Sequence, residues 1–284
     1  MTQQQNSEKQ KKINIEASIQ VSLNGLSFCL LDRSLNKIFH YRKINFRKKL
    51  TPADVLQQIK LVYAKDSKLQ QKADKLTLIF ANDLYTLLPH IFFNEENASD
   101  YLKFNTKILQ TDFVSHDIIS KPQIVNTYIP FTNISNYFFD LYGEFDYKHS
   151  ITIFLEALSE IKSNSETTFY INNNERSFDL AVFENGKLLL CNTFFYETKE
   201  DFIYYVLFTA EQLKKDPNKF QLIFMGEIEK ESELYRMVYI YIRNVDFFTD
   251  DFKFKVETEE KPMHLRNEFI LLKSFDHENS FRNS

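Results

Sequence analysis

Two segments of the 284-residue chain match each other without a gap at an offset of 150 residues. The segment SFCLLDRSLNKIFH, from Ser27 to His40, aligns with SFDLAVFENGKLLL, from Ser177 to Leu190. Each has an apolar run, a polar turn and a second apolar run, which is the pattern of a β-hairpin. One more strand-like stretch precedes each hairpin, IQVSLNG in the first case and FYINNNE in the second. The sequence therefore predicts the same three-strand meander twice.

The similarity continues downstream of the two meanders. Thr51 and Thr198 each open a helical pattern, and an aspartate follows each of them three residues later, as in a capping box. The next strands, LTLIFAN (76–82) and FQLIFMG (220–226), share the tripeptide Leu-Ile-Phe. Because the offset falls only from 150 to 144 across these matches, a duplicated plan is favoured over chance. One α+β domain with coincidental similarity remains the alternative.

The repeat predicts an α/β (α+β) fold with two similar lobes, each a mixed sheet that starts with a three-strand meander and is flanked by helices. The first lobe is placed at residues 13–148 and the second at 149–275. Residues 1–12 are polar and basic, and 276–284 are also polar, so a disordered and a frayed tail are expected there. The other predicted elements are strands within 112–129 and helices at 133–141, 150–162 and 229–245.

Composition and charge argue against several classes of function. The formal net charge of −4 gives no general attraction to nucleic acid, so no nucleic-acid partner is expected. No apolar run reaches the roughly 18 residues of a membrane span, so no membrane insertion is expected. Cys29 and Cys191 lie in apolar runs without a C-x-x-C motif, which favours reduced thiols in a cytoplasmic protein. The six histidines lack metal-ligand spacing, and no catalytic or metal-binding residue is assigned.

The duplicated plan and the two hairpin sequences resemble a known superfamily. Two meanders, each followed by alternating helices and strands, are the plan of the actin-like ATPases, which include sugar kinases and heat-shock ATPases. YINNNERSFDLAVFENGKL resembles their second phosphate hairpin, and IQVSLNGLSFCLLD resembles the first. Over nearly its whole length the chain more closely resembles domain-of-unknown-function family 3822, bacterial proteins that form a degenerate branch of this fold. The resemblance implies a cleft between the lobes, where active members bind ATP.

The residues at the expected phosphate and metal positions depart from the active pattern. In active members the first hairpin carries an acid and, two residues later, a glycine, but Gln20 and Ser22 stand at those places. Asn172 and Asn174 stand at the similar positions of the second hairpin. An amide can hydrogen-bond a phosphate, but it supplies no negative charge to a metal ion. The glycine-rich adenosine loop keeps at most Gly226, in a chain with only four glycines.

These five positions are the candidate cofactor-binding residues, and their departures predict a pseudo-ATPase that needs no cofactor. The leading hypothesis is a non-catalytic protein-interaction or assembly factor with an unknown protein partner. The alternative is a nucleotide-binding switch that keeps ATP and Mg²⁺ in the cleft without efficient hydrolysis. A third hypothesis is a kinase relic with relocated acids, which requires Asp32, Asp83 or Asp179 to face the cleft. A cleft filled by side chains would contradict both alternatives, because each depends on a binding site in the cleft and not on the fold alone.

Two further segments could bind a partner. The run HYRKINFRKKL (40–50) places five basic residues among aromatic ones, although a solvated strand end is the simpler interpretation. The predicted helix 229–245 carries Tyr235, Tyr239 and Ile240 beside its main apolar stripe. Tyrosine offers a large contact area with a polar tip, so this excess could mark a partner site. A helix packed between a sheet and a neighbouring helix would also explain it.

Overall fold

The computed structural model describes most of the chain. The predicted tails, 1–12 and 276–284, lie outside the described residues apart from Asp276, which ends the last helical turn. No helix of the described part is long and apolar enough to cross a membrane. The described residues are 14–104, 106–109, 112–163, 165–249, 252–260, 262 and 264–276.

The helices after the two meanders begin at the capping signals found in the sequence. The side chain of Thr51 accepts a hydrogen bond from the Asp54 backbone N–H. Thr198 and Asp201 form a complete capping box, in which each side chain accepts a hydrogen bond from the other residue's backbone N–H. Both caps satisfy backbone donors at the helix start that have no carbonyl partner within the helix. The α-helices are α1 (Pro52–Lys65), α2 (Ala98–Lys103), α3 (Thr132–Tyr142), α4 (Ser150–Glu160), α5 (Lys199–Gln212), α6 (Glu233–Tyr241) and α7 (Phe269–Lys273).

The strands of the described residues form three sheets, and the two meanders belong to different ones. β1 alternates apolar and polar residues, as a strand with two different faces does, whereas β2, β9 and β10 are buried along almost their whole length. The strands are β1 (Ile15–Ser22), β2 (Gly25–Asp32), β3 (Lys37–Asn45), β4 (Lys75–Ala81), β5 (Tyr85–Pro89), β6 (Ser115–Ile119), β7 (Ile124–Tyr128), β8 (Asp146–His149), β9 (Thr167–Asn173), β10 (Ser177–Glu184), β11 (Lys187–Phe195), β12 (Gln221–Gly226), β13 (Asn244–Phe247) and β14 (Lys255–Val256).

The two larger sheets share one topology around their meanders. The first has the order β14-β3-β2-β1-β4-β8, and the second has the order β11-β10-β9-β12-β13. In each, the strand after the first helix pairs in parallel with the first strand of the meander, so β4 beside β1 corresponds to β12 beside β9. The third sheet, β5-β7-β6, is an addition to the first half of the chain. The repeated order of elements predicted from the sequence is therefore present, and its origin by duplication stays a prediction.

The helix predicted at 229–245 is shorter than expected, and this part of the prediction is wrong. The helix α6 begins after Ser232, whose side chain accepts a hydrogen bond from the Tyr235 backbone N–H. It ends at Tyr241, because Ile242 has extended backbone angles. The chain then forms β13, which pairs in parallel with β12. The apolar residues at the end of the predicted helix thus belong partly to a strand, which single-sequence periodicity does not separate from a helix.

Two hydrophobic clusters hold the sheets and helices together. The first packs the first sheet against helices that include α1, α3, α4 and α7, with the rings of Phe154 and Phe269 at 6.2 Å. The second packs α5 and α6 on one face of the second sheet. The opposite face of that sheet joins the first cluster through Tyr170, Phe183 and Met225. The predicted second lobe, 149–275, therefore contributes its first helix and its last residues to the core of the first sheet.

Candidate functional site

An open cleft lies where the two meanders face each other. Its walls come from the β1–β2 turn, the segment after β3, the loop after β4 and the β9–β10 turn. Its empty volume is about 1170 Å³, open solvent included. The cleft is not filled by side chains, so the structure leaves both the nucleotide hypothesis and the kinase-relic hypothesis open.

Four of the five candidate residues line this cleft: Gln20, Ser22, Asn172 and Asn174. The first two of these residues lie at the end of β1, and the other two lie at the end of β9 and in the turn that follows it. The two hairpins that match in the sequence therefore form opposite walls of the cleft. Ser22 is already engaged, because its Oγ accepts the Gly25 backbone N–H at 2.9 Å and builds the β1–β2 turn. Gln20 is half-buried in β1 and lines the cleft with a polar side chain, whereas Asn172 is almost fully buried in β9.

Gly226 does not line the cleft, although its neighbour Glu227 does. It ends β12 in the left-handed region, with a φ of 77°. A Cβ at this position would lie 2.1 Å from the carbonyl oxygen of Asn173 in β9, which is far inside van der Waals contact. The glycine therefore allows β12 and β9 to approach each other closely. A contact from Gly226 to a nucleotide stays a prediction.

Asp179 lies on the floor of the cleft and is held by neutral donors. Its Oδ2 accepts Asn172 Nδ2 at 3.2 Å, and its Oδ1 accepts Thr193 Oγ1 at 2.8 Å. Burial raises the pKa of Asp179, and the two hydrogen bonds only partly oppose that effect. The Tyr85 hydroxyl lies 3.0 Å from Thr193 Oγ1 and links the third sheet to the second. Hydrogen bonds from two neutral side chains thus stabilise a desolvated carboxyl group on the cleft floor.

The three acids required by the kinase-relic hypothesis are not equally placed. Asp83 is exposed and lines the cleft, as does Asp179. Asp32 does not line it, because it ends β2, where its Oδ1 accepts the Ser34 backbone N–H of the β2–β3 turn at 2.9 Å. Among the residues that the structure describes, no group of three or more His, Cys, Asp or Glu is placed to hold a metal ion.

Basic side chains from both lobes line the cleft. Lys48 and Lys49 line the first wall, and Arg176 lines the opposite wall in the β9–β10 turn. Lys49 Nζ lies 5.9 Å from the centre of the Phe195 ring, so it spans the mouth of the cleft to β11. The basic run 40–50 is therefore partly a cleft wall. The position of the basic run at the end of the first meander could have indicated that it lines the cleft, because the corresponding end of the second meander also faces the cleft.

Lys43, from the same run, joins three parts of the chain. Its Nζ lies 2.5 Å from Glu227 after β12 and 2.7 Å from Glu268 before α7. The Tyr41 hydroxyl also donates to Glu268, at 2.8 Å. Burial alone would lower the pKa of Lys43, but the carboxylates of Glu268 and Glu227 outweigh it and raise that pKa. No local sequence signal identifies this cluster, because its members are up to 227 residues apart.

The large apolar and aromatic side chains of α6 include both buried and exposed residues. Tyr235 is buried, and its ring stacks on Phe247 at 5.3 Å, so it does not extend the exposed surface as the sequence suggested. Tyr239, Ile240 and Tyr241 are exposed, by 60%, 74% and 51%. The C-terminal turn of α6 is therefore an apolar surface that the described part of the chain leaves uncovered.

Comparison with known proteins gives a family and a fold. A sequence family described as "Protein of unknown function (DUF3822)" matches residues 4–245, which is more than half of the chain. The chain belongs to the DUF3822 family. This confirms the resemblance seen in the hairpin sequences. No curated protein matches this DUF3822 chain significantly.

Solved structures similar to the DUF3822 chain share its architecture. One is a crystal structure from Bacteroides thetaiotaomicron VPI-5482 of a protein with an actin-like ATPase fold and unknown function. Its TM-score is 0.75 with 21% identity, over 84% of this chain and 92% of that chain. Another is the PilM-PilN type IV pilus biogenesis complex, with a TM-score of 0.58 and 9% identity, over 93% of this chain and 99% of that chain. Identities this low show the fold alone, and the predicted fold class is confirmed.

Proposed function

We propose that this DUF3822 chain is a non-catalytic protein-interaction or assembly factor built on an actin-like ATPase fold. The observation that carries the proposal is the chemistry of the two hairpins. Gln20 and Asn172 are neutral where an acid would organise Mg²⁺, and both line the cleft. The nearby Asp179 is buried and bound to Asn172 and Thr193, so its carboxyl group is poorly available to a metal.

The partner-binding half of the proposal rests on exposed apolar surface. Tyr239, Ile240 and Tyr241 form one exposed turn at the end of α6. Exposed aromatic residues are enriched at protein interfaces and scarce elsewhere on monomer surfaces. One solved relative of this fold is a complex of two proteins, PilM and PilN, which supports a partner-binding role for such a scaffold. A cytoplasmic location is part of the proposal, supported by Cys29 and Cys191, which form no disulfide.

A nucleotide-binding switch is the second candidate, and the open cleft favours it. Polar side chains from both hairpins and the cations Lys48, Lys49 and Arg176 surround a space that could take a polyphosphate. In this version the ligand would change the angle between the lobes without being hydrolysed. The two candidates differ in whether the cleft needs a ligand for the protein to act.

Calorimetric titration with Mg·ATP and Mg·ADP to millimolar concentration separates the two candidates. The control is Asn174→Trp, which places a large ring at the cleft wall. Binding that this variant abolishes would establish the switch. Release of inorganic phosphate above the level of the Asn174→Trp protein would overturn the non-catalytic proposal.

The interaction role has its own test. A photoreactive phenylalanine analogue at Tyr239, introduced in cells, should crosslink to a specific second protein, because this side chain is exposed on α6. The matched control carries the analogue at Leu61, which is exposed on α1. The same adducts from both positions, or none from Tyr239, would contradict a partner site on α6.

A further inference from the structure

A short helical turn before α7 contacts both of the larger sheets. The turn consists of residues 264–268, and α7 follows it directly, with its apolar residues buried in the core of the first sheet. Glu268, the last residue of the turn, accepts hydrogen bonds from the side chains of Tyr41 and Lys43 in β3. One end of the turn is therefore fixed to the first sheet. The other end reaches the loop 227–229, which follows β12 of the second sheet.

Arg266 makes most of the contacts between the turn and this loop. One nitrogen of its guanidinium group donates to the Ile228 carbonyl oxygen at 3.3 Å and lies 3.5 Å from the Glu229 carboxylate. The guanidinium carbon lies 4.4 Å from the centre of the Phe247 ring in β13. His264 Nε2 lies 3.1 Å from the same Glu229 carboxylate. Polar and charged side chains thus connect the turn to the second sheet.

The hydrogen bonding of the turn is incomplete. Among the described residues, four buried polar side-chain atoms have no hydrogen-bond partner, and two of them are Arg266 Nε and Asn267 Oδ1. Arg266 is only 9% exposed, so its guanidinium group is largely removed from water. Leaving buried donors and acceptors unpaired costs free energy, and exposure of the turn to water would remove that cost. The contacts to the loop 227–229 therefore hold the turn against an opposing free-energy term.

The loop that the turn holds is also part of the cleft wall. Glu227 lines the cleft, and its carboxylate lies 2.5 Å from Lys43 Nζ on the other side. The base of the cleft is joined differently, because there the apolar inner face of the second sheet packs in the first hydrophobic cluster. Ion pairs therefore hold the two sheets together at this end of the cleft, whereas apolar packing holds them together at its base.

We propose that residues 264–268 are a latch that holds the loop 227–229 against the first sheet and so sets the width of the cleft. With the latch closed, as in this structure, Arg266 and His264 hold Glu229. With the latch open, the Lys43–Glu227 pair alone holds the loop at this end, and a wider cleft becomes populated. The inference goes beyond both candidate functions, because it concerns the width of the cleft and not the identity of what binds.

Double electron–electron resonance across the cleft tests the latch in the full chain. Nitroxide labels are attached through p-acetylphenylalanine in place of Lys48 and Glu175, which are exposed on opposite walls of the cleft. This chemistry leaves both native cysteines unchanged. The doubly labelled protein should give one distance between the labels. Arg266→Met in the same background removes the guanidinium contacts to the loop 227–229 and should add a second, longer distance.

Two glutamate variants separate opening of the latch from a general loss of structure. Glu229→Gln keeps the size of a partly exposed side chain, so it should fold, and it should also add the longer distance. Glu233→Gln is the matched control, because it breaks the 2.8 Å ion pair with Lys199 between α5 and α6, away from the latch. This control should keep the single distance. An unchanged single distance in Glu229→Gln, or a second distance in Glu233→Gln, would overturn the proposal.

Discussion

The ammonium group of Lys43 lies 2.5 Å from the carboxylate of Glu227, and this ion pair ties the first sheet to the loop after β12. The same ammonium group lies 2.7 Å from Glu268, which is 4% exposed and also accepts the Tyr41 hydroxyl. Because Lys43 and Glu227 both line the cleft, the pair fixes the spacing of its two walls at one end. Lys43 is therefore a structural element of the site whether or not the cleft takes a ligand.

Replacing Lys43 by methionine should destabilise the protein strongly. The substitution keeps most of the length of the side chain but leaves the Glu268 carboxylate buried without its cation. Removing one partner of a buried ion pair costs about 3 kcal/mol or more, mainly through the uncompensated charge. Equilibrium unfolding in urea measures this loss. Lys48→Met, at an exposed lysine on the same cleft wall, is the control and should change the free energy of unfolding by less than about 0.5 kcal/mol.

Gly226→Ala should be much more damaging than Gly186→Ala, although both glycines have positive φ. The φ values are 77° and 76°, which place both residues in the left-handed region, where an alanine costs about 1 kcal/mol or more. At Gly186 an added Cβ meets nothing within 4 Å, whereas at Gly226 it meets the Asn173 backbone. We expect a loss of about 1 kcal/mol for Gly186→Ala and at least about 3 kcal/mol for Gly226→Ala. Equal losses would contradict a close-approach role for Gly226.

Local and repeated features were predictable from the sequence, because they depend on neighbours within one element. The caps at Thr51 and Thr198 are of this kind, and the paired hairpins placed Gln20 and Asn172 on facing walls. The contacts that complete the site were not predictable. The Lys43–Glu268 pair, 225 residues apart, depends on α7 returning to the first sheet. The end of α6 depends on β13 pairing with β12, and no periodicity in that segment reports such a tertiary contact.

Thr193→Val should destabilise the cleft floor by about 1 to 3 kcal/mol. The substitution keeps the shape of the side chain but removes the hydroxyl that donates to Asp179 and lies 3.0 Å from the Tyr85 hydroxyl. Urea unfolding of Thr193→Val, Tyr85→Phe and the double variant forms a double-mutant cycle. If the hydroxyls act together, the double variant should lose less stability than the sum of the single losses. Strict additivity would mean that the two hydroxyls do not interact.

His149 should give the protein a steep loss of stability in acid. Its Nε2 donates to the Asn82 carbonyl oxygen at 3.1 Å, and its Nδ1 accepts the Ile151 N–H at 3.2 Å. Because both nitrogens are committed to the neutral ring, protonation would break the bond from Ile151. Burial lowers the pKa of His149 from 6.5 to about 3, although the bond to Asn82 opposes that effect.

The sign of this pH dependence follows from proton uptake. Between pH 6.5 and about 3 the unfolded chain binds a proton at His149 that the folded chain does not. The free energy of unfolding should therefore fall as the pH falls through this window, by up to about 1.4 kcal/mol per pH unit from this residue.

The buried Asp117, whose pKa is raised by burial, changes the free energy of unfolding in the opposite direction as the pH falls. The two proteins that are compared must therefore share the same Asp117 environment. His149→Gln does so, because Asp117 accepts the backbone N–H of residue 149 and not its side chain. Urea unfolding from pH 7 to pH 4 should show a shallower slope for His149→Gln than for the wild type, even if the variant is less stable at pH 7. Parallel slopes would show that the ring is protonated in the folded protein or is not buried.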